Sequence, residues 1–281
     1  MPVKFSDGEH ALQLHQCYMS LAKNCSHEEM FSQTEQERIP ILNVSTFLDN
    51  KGDATHSKCL AFAESGSTLK LSPVFIFNLA SNPGGSSVYA QQFFENLNGG
   101  FAKWKMARGI LSSPAILQSW SNLNPKRHKG LEEMIASARM GLEQQRECPA
   151  RTWTMGVDIR EPKAKQKLYS GCCITLINRN VASSGEAATA YAKSLKNTII
   201  IGENSSGIGS FGEVRDYQLK NSHINLNLPC KLFIASDCVE ARGYLPDFWL
   251  DSPEPVKEAV RWLKQPESYQ FEFPTAPVQG K

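Results

Sequence analysis

Twice along the chain an unbroken apolar run is followed by a Gly/Ser-rich turn and then by an amphipathic stretch. The first instance is Val74-Phe75-Ile76-Phe77-Asn78-Leu79, a turn over 80–85, and a segment over 86–97. Within that segment Tyr89, Phe93 and Leu97 recur at every fourth position with Ala90 and Phe94 beside them, a spacing that predicts a helix. The second is Cys172-Cys173-Ile174-Thr175-Leu176-Ile177, a turn over 178–182 and a helix over 183–195, followed by Thr198-Ile199-Ile200-Ile201 and Gly202. Strand, helix and strand make a βαβ unit, with parallel strands and a right-handed crossover. Runs with no polar alternation, such as 74–77 and 198–201, belong where both faces of a sheet are covered. The pattern predicts an α/β core.

Beyond the core the pattern changes. Residues 219–235 alternate and are rich in turn formers, with Leu226, Leu228 and Leu232 at strand-like steps, which predicts antiparallel strands in the C-terminal region. A last helix is signalled by Ser252 as N-cap and Pro253 at the first helical position, with Val256, Ala259, Val260 and Leu263 on one face, and Pro266 stops it. The first 38 residues read as polar and helical, with Ser26 and Glu29 spaced as a capping box. These signals divide the chain into a helical N-terminal segment, 1–38, a core over 39–266 with a helical insertion around 100–165, and a tail over 267–281. The insertion contains a helix over 131–147, preceded by the charge run Lys126-Arg127-His128-Lys129, which reads as a solvated loop.

Composition narrows the function classes. Thirty Lys and Arg against 28 Asp and Glu leave a formal charge of +2, too balanced for a binder of nucleic acid or of a membrane surface that works through clustered cations. No apolar run approaches the roughly 20 residues of a membrane-spanning helix. The opening, with Lys4, Asp7, Glu9, His10 and His15, is not a secretory signal. Eight cysteines are scattered without Cys-x-x-Cys or Cys…His spacing, which reads as buried thiols and neither a zinc site nor a disulfide framework.

Open α/β sheets place their sites at the turns that leave the carboxyl ends of parallel strands. Two turns qualify: Ala80-Ser81-Asn82-Pro83-Gly84-Gly85 and Asn178-Arg179-Asn180-Val181-Ala182-Ser183-Ser184-Gly185-Glu186. In the second, Ser183 and Glu186 have the spacing of a capping box, which needs no catalytic explanation. The same serine also has its hydroxyl at the positive end of a helix, beside backbone amides able to hold an oxyanion. In the first, the paired glycines let the backbone approach a ligand closely and aim an N–H at it. The nucleophile elbow Gly-x-Ser-x-Gly is not matched, because Val181 stands in place of the first glycine. An esterase of that type would need His223 at the site, with Glu203, Glu213 or Asp216 as its acid.

An ordered series of motifs carries a resemblance. Asn82-Pro83-Gly84-Gly85, then Ser183-Ser184-Gly185-Glu186, then Ile201-Gly202-Glu203-Asn204-Ser205-Ser206-Gly207, then Glu240-Ala241-Arg242-Gly243-Tyr244-Leu245-Pro246-Asp247 resembles the tail-specific, or C-terminal-processing, serine peptidases over about residues 39–251. The resemblance implies a crotonase-like core, a protein or peptide substrate, and no metal or organic cofactor. It implies Ser183 as nucleophile and, as oxyanion donors, the N–H of Ser184 with that of Gly84 or Gly85. One branch of the family activates its serine with a lysine; Ile208 stands at that position here, so the likeness is to the Ser-His-Glu branch that resembles the tricorn protease core. Glu240 matches the acid of that triad. The histidine lies upstream in that branch, where this chain offers His10, His15 and His27, and the short N-terminus suggests a missing upstream region. Where the family favours Asp-Leu-Arg before the glycines, this chain has Asn78-Leu79-Ala80. These departures leave a second reading open: a catalytically inactive or truncated relative that binds peptides in the same cleft.

Overall fold

The apolar runs become the interior strands of a parallel sheet. The computed structural model describes residues 3–4, 11–12, 30–49, 54–100, 104–123, 132–147, 152–163, 166–235 and 237–265. In chain order its strands are β1 (Val3–Lys4), β2 (Ala11–Leu12), β3 (Phe31–Gln36), β4 (Ile39–Val44), β5 (Val74–Asn78), β6 (Trp104–Ser112), β7 (Thr152–Arg160), β8 (Cys172–Ile177), β9 (Thr198–Gly202), β10 (Phe211–Gln218), β11 (Asn225–Ile234) and β12 (Phe248–Trp249). The α-helices are α1 (Ala54–Thr68), α2 (Ser87–Asn98), α3 (Pro114–Ser121), α4 (Glu132–Glu147), α5 (Ser184–Lys193) and α6 (Pro255–Lys264). A six-stranded sheet has the order β12-β9-β8-β5-β4-β3, parallel except for the β3–β4 hairpin. A four-stranded sheet, β10-β11-β6-β7, is antiparallel throughout.

Both faces of the parallel sheet are covered, which is why β5, β8 and β9 could carry unbroken apolar runs. On one face α1, α2 and α5 bury Phe62, Phe93 and Ala188 against Phe75 and Phe77. The rings of Phe62, Phe77 and Phe93 stack with centroids 4.8 to 6.0 Å apart. On the other face α6 lays Ala259 and Val260 over Ile76, Ile174 and Ile201. Each buried Phe, Ile or Val among them contributes about 1.5–3 kcal/mol of transfer free energy. The β8-α5-β9 unit forms as its sequence predicts, with β8 and β9 as parallel neighbours.

Four expectations need correction. The end of the N-terminal segment is a strand: β3 pairs antiparallel with β4 through a turn in which Glu37 and Arg38 both have positive φ. As an edge strand β3 tolerates the polar residues that suggested a helix; the Ser26–Glu29 signal lies outside the described residues, as does the tail beyond residue 265. The 100–165 insertion does hold two helices, but β6 and β7 flank them and pair over nine residues each, so the insertion is also half of a sheet. β6 was hidden because both of its faces mix polar and apolar residues, and β7 because its apolar face, Trp153, Met155, Val157 and Ile159, is exposed. The C-terminal hairpin begins at Phe211, and Leu219 to Ile224 form its turn. Finally, α6 starts at Pro255 with Glu254 as its N-cap, in place of Pro253 and Ser252. A residue before proline is pushed out of the α region, so Pro255 keeps Glu254 from being helical and delays the start.

Candidate active site

Both candidate turns leave the carboxyl ends of adjacent strands. The pairing of β5 with β8, Val74↔Cys172 through Asn78↔Leu176, sets the turns side by side. Asn82, fully buried, ties them together. Its Oδ1 accepts from Gly84 N at 2.9 Å, its Nδ2 donates to Val44 O at 2.9 Å, and its main-chain carbonyl accepts from Ala182 N at 3.0 Å. Ser184 Oγ donates across the seam to Gly85 O at 2.7 Å. A Cβ added to Gly84 would lie 3.0 Å from Ser183 Cβ, so the diglycine bend and residue 183 occupy one place.

Ser183 is exposed and holds φ 51°, ψ −115°, a conformation that L residues rarely adopt. An ordinary capping serine is extended and lends its oxygen to an N–H of the first helical turn. Ser183 does neither, because no hydrogen bond caps the helix through its side chain. Its expected capping-box partner, Glu186, faces another way. That carboxylate is 1% exposed; Oε1 accepts from Ser205 Oγ at 2.6 Å and Gly207 N at 2.7 Å, and Oε2 from Ile208 N at 3.0 Å. Ser205 Oγ accepts in turn from Tyr244 N, so Glu186 fastens both following loops to α5. Glu186→Ala should therefore lower stability by about 3 kcal/mol, measured by chemical denaturation, since it strands buried donors to a charged acceptor.

The bend leaves particular amides free. Gly84 N is held by Asn82 Oδ1, whereas neither Gly85 N nor Ser184 N makes a hydrogen bond among the described residues. Gly85 and Ser184 line the same opening as Ser183. The opening is a cleft of about 1080 Å³ between the turn region and the second sheet, which contributes Met106, Arg108 and Phe233 to its lining.

Glu240 lies in the loop that Gly207 O holds through Ala241 N at 2.7 Å. It is exposed and does not line the cleft, although its charge is among those that hold the cleft-lining Cys238 thiol in its protonated form. Ile208 is half exposed in the loop above Glu186. His223 sits at the turn of the β10–β11 hairpin, away from the cleft lining, so the esterase arrangement does not form. His10, His15 and His27 lie outside the described residues. Sequence reasoning missed His56, whose Nδ1 lies 2.9 Å from Asp49 Oδ1 and 3.2 Å from Tyr89 OH, with Tyr89 OH also bonded to Asp49. Asp49 lines the cleft, but His56 makes no hydrogen bond to Ser183. The signal was faint: a carboxylate and an imidazole seven residues apart, joined only through the fold.

Among the described residues no group of three His, Cys, Asp or Glu is placed to hold a metal ion, and no helix is long and apolar enough to cross a membrane. The five described cysteines are free thiols. Burial, ahead of all other causes, pushes the Cys173 and Cys238 thiols up to about 12; at Cys238 the charges of Glu186, Asp237 and Glu240 add to it. The folded state thus keeps protons that the unfolded chain releases near pH 9.0. This contribution is complete below pH 9 and is lost as pH rises toward 12. Melting temperature should accordingly fall across that window, with a smaller fall in Cys238→Ala, read by thermal denaturation at stepped pH.

The sequence model of peptidase family S41 matches residues 38–249. The chain belongs to that family. Its α/β core is accordingly the crotonase-like one of the S41 peptidases. Among solved structures, a mutant of CPAF is similar with a TM-score of 0.51 and 17% identity, over 84% of this chain and 52% of the other. The photosystem II D1 C-terminal processing protease gives 0.45 and 14%, over 76% and 42%. A lipoprotein from Streptococcus agalactiae gives 0.48 and 12%, over 85% and 70%. At these identities the likeness concerns the fold. No curated protein matches the sequence. This S41 chain spans about half the length of the CPAF chains it matches.

Proposed function

We propose that this S41 family member is a serine peptidase that cleaves protein or peptide chains by acyl transfer through Ser183. The observation that carries the reading is the exposed, strained Ser183 beside two uncommitted amides, Gly85 N–H and Ser184 N–H. Ser183 Oγ attacks the scissile carbonyl carbon and passes its proton to a histidine. The carbonyl oxygen gathers negative charge and takes hydrogen bonds from the two amides, which are already aimed and need no reorganisation. The imidazolium then protonates the departing amine, and water releases the acyl group by the same route in reverse. Glu240 orients the imidazole and stabilises its charged form. Gly84 supports the hole without donating to it, because its N–H is already bound by Asn82. The name of one similar structure, the D1 C-terminal processing protease, makes a site near a protein's C-terminus the first substrate to try.

A fluorophosphonate probe tests the assignment directly. Labelling of the wild-type chain, its loss in Ser183→Ala, and a labelling rate lower by on the order of 10²–10⁴-fold in Glu240→Gln are the expected results. Equal labelling of Ser183→Ala would refute the nucleophile. The same probe separates the second reading, a peptide-binding relative without turnover. That relative binds peptides and leaves the probe unreacted.

A further inference from the structure

We infer that Arg108 is the anchor for an acidic side chain of the peptide that lies in the cleft; the inference rests on the peptide-binding reading of the same site. Asp158 is bonded by Arg160 at 3.1 Å. Glu213 is shared between Arg215 and Lys231, the latter at 3.2 Å. Asp49 is held by Tyr89 and His56, and Glu186 by Ser205, Gly207 and Ile208. Arg108 lines the same cleft, and among the described residues it has neither an ion pair nor a hydrogen bond through its guanidinium. Every carboxylate along the wall is already engaged, so none is left to neutralise it.

Local geometry keeps the guanidinium available. Arg108 lies in the middle of β6, with Phe233 of β11 opposite it on one side and Gly156 of β7 on the other. Phe233 offers no acceptor. Gly156 offers no side chain, and a Cβ built there would meet nothing within 4 Å, so the flank of Arg108 stays open. A peptide entering the cleft strips water from the guanidinium, which disfavours any occupant that cannot replace the lost hydrogen bonds. A carboxylate replaces them in bidentate form, a carboxamide only in part, and an ammonium adds repulsion. The structure therefore selects Glu or Asp over Gln, and Gln over Lys, at the one peptide position that faces β6.

The experiment measures binding to the Ser183→Ala protein, so that turnover is not required. Fluorescein-labelled decapeptide pools with amidated C-termini are degenerate except at one position, fixed as Glu, Gln or Lys. Fluorescence anisotropy should show the Glu pool binding about 10- to 100-fold more tightly than the Gln pool at one position and not at the others. The double variant Ser183→Ala, Arg108→Gln should level Glu with Gln, and Ser183→Ala, Arg108→Glu should favour Lys, each with an unchanged circular dichroism spectrum and melting temperature. Arg108→Lys, which keeps the charge without the fork, should retain part of the preference and serves if the other variants fail to fold. Equal binding of the three pools, or a Glu preference that survives Arg108→Gln, overturns the inference. Failure of the catalytic assignment is read separately, from absent fluorophosphonate labelling of the wild-type chain.

Discussion

Replacing Ser183 by glycine should abolish turnover and raise the melting temperature together. At φ 51°, ψ −115° the Cβ of residue 183 crowds its own backbone, a strain of about 1–3 kcal/mol that glycine does not carry. Relief of about 1 kcal/mol in a chain of this size corresponds to a rise of about 2–4 °C. Ser183→Ala keeps the Cβ, and hence the strain, while losing the hydroxyl. Both variants should lose on the order of 10⁴–10⁶ in kcat, the range typical of removing a serine nucleophile. Calorimetry on the pair isolates the backbone term, because the two substitutions differ there and agree chemically. Identical melting temperatures for alanine and glycine would mean that the turn is relaxed and that the exposed hydroxyl is an accident of the helix end.

Gly85→Ala should damage the protein more than any other single methyl added at the site. The new Cβ would stand 2.1 Å from the carbonyl carbon of Phe47 and 2.2 Å from its oxygen, with φ at 133°. Both neighbours are main chain, so no rotamer change relieves the contact. The bridge that prolongs β4 past its end, Phe47 N to Gly84 O and Ser86 N to Phe47 O, both at 2.8 Å, must open instead. A loss of about 3 kcal/mol or more is expected on denaturation. In molecules that still fold, the displaced amide should lower kcat by about 10²–10³-fold. Gly156→Ala, at a position with free space around it, is the control and should leave stability within about 0.5 kcal/mol.

How much of this was legible in the sequence depends on where each element sits. Strands β5, β8 and β9 could be read directly, since a sheet covered on both faces demands unbroken apolar runs. Strand β7 could not: Trp153, Met155, Val157 and Ile159 are all exposed, and their alternation marks a face without marking an interior. The N-terminal edge strand failed for a related reason, because half of Phe31–Gln36 faces solvent and constrains the residue choice weakly. At the site, the glycines and the serine could be named from the family likeness. Their contact could not be derived from local pattern, since it depends on β8 being the neighbour of β5. The role of Glu186 was misread for a clear cause. Three-residue spacing after a serine signals a capping box only where that serine is extended, and a positive φ at Ser183 turns the carboxylate over to the loops beyond. What separates the two glycines is the side chain of Asn82, which takes Gly84 N in an Asx turn, a two-residue spacing that the sequence did offer.

The offset of 99 positions from Gly85 to Ser184 also fixes when the machinery can first exist. A polypeptide emerging from the ribosome holds the bend early, but it must complete strands β6 and β7 with their two helices before the serine is even synthesised, and the cage around Glu186 waits for Ser205 through Ile208. Nascent fragments of every intermediate length therefore lack a competent centre. Latency during translation is a property of the topology, and no separate inhibitory segment is required to supply it.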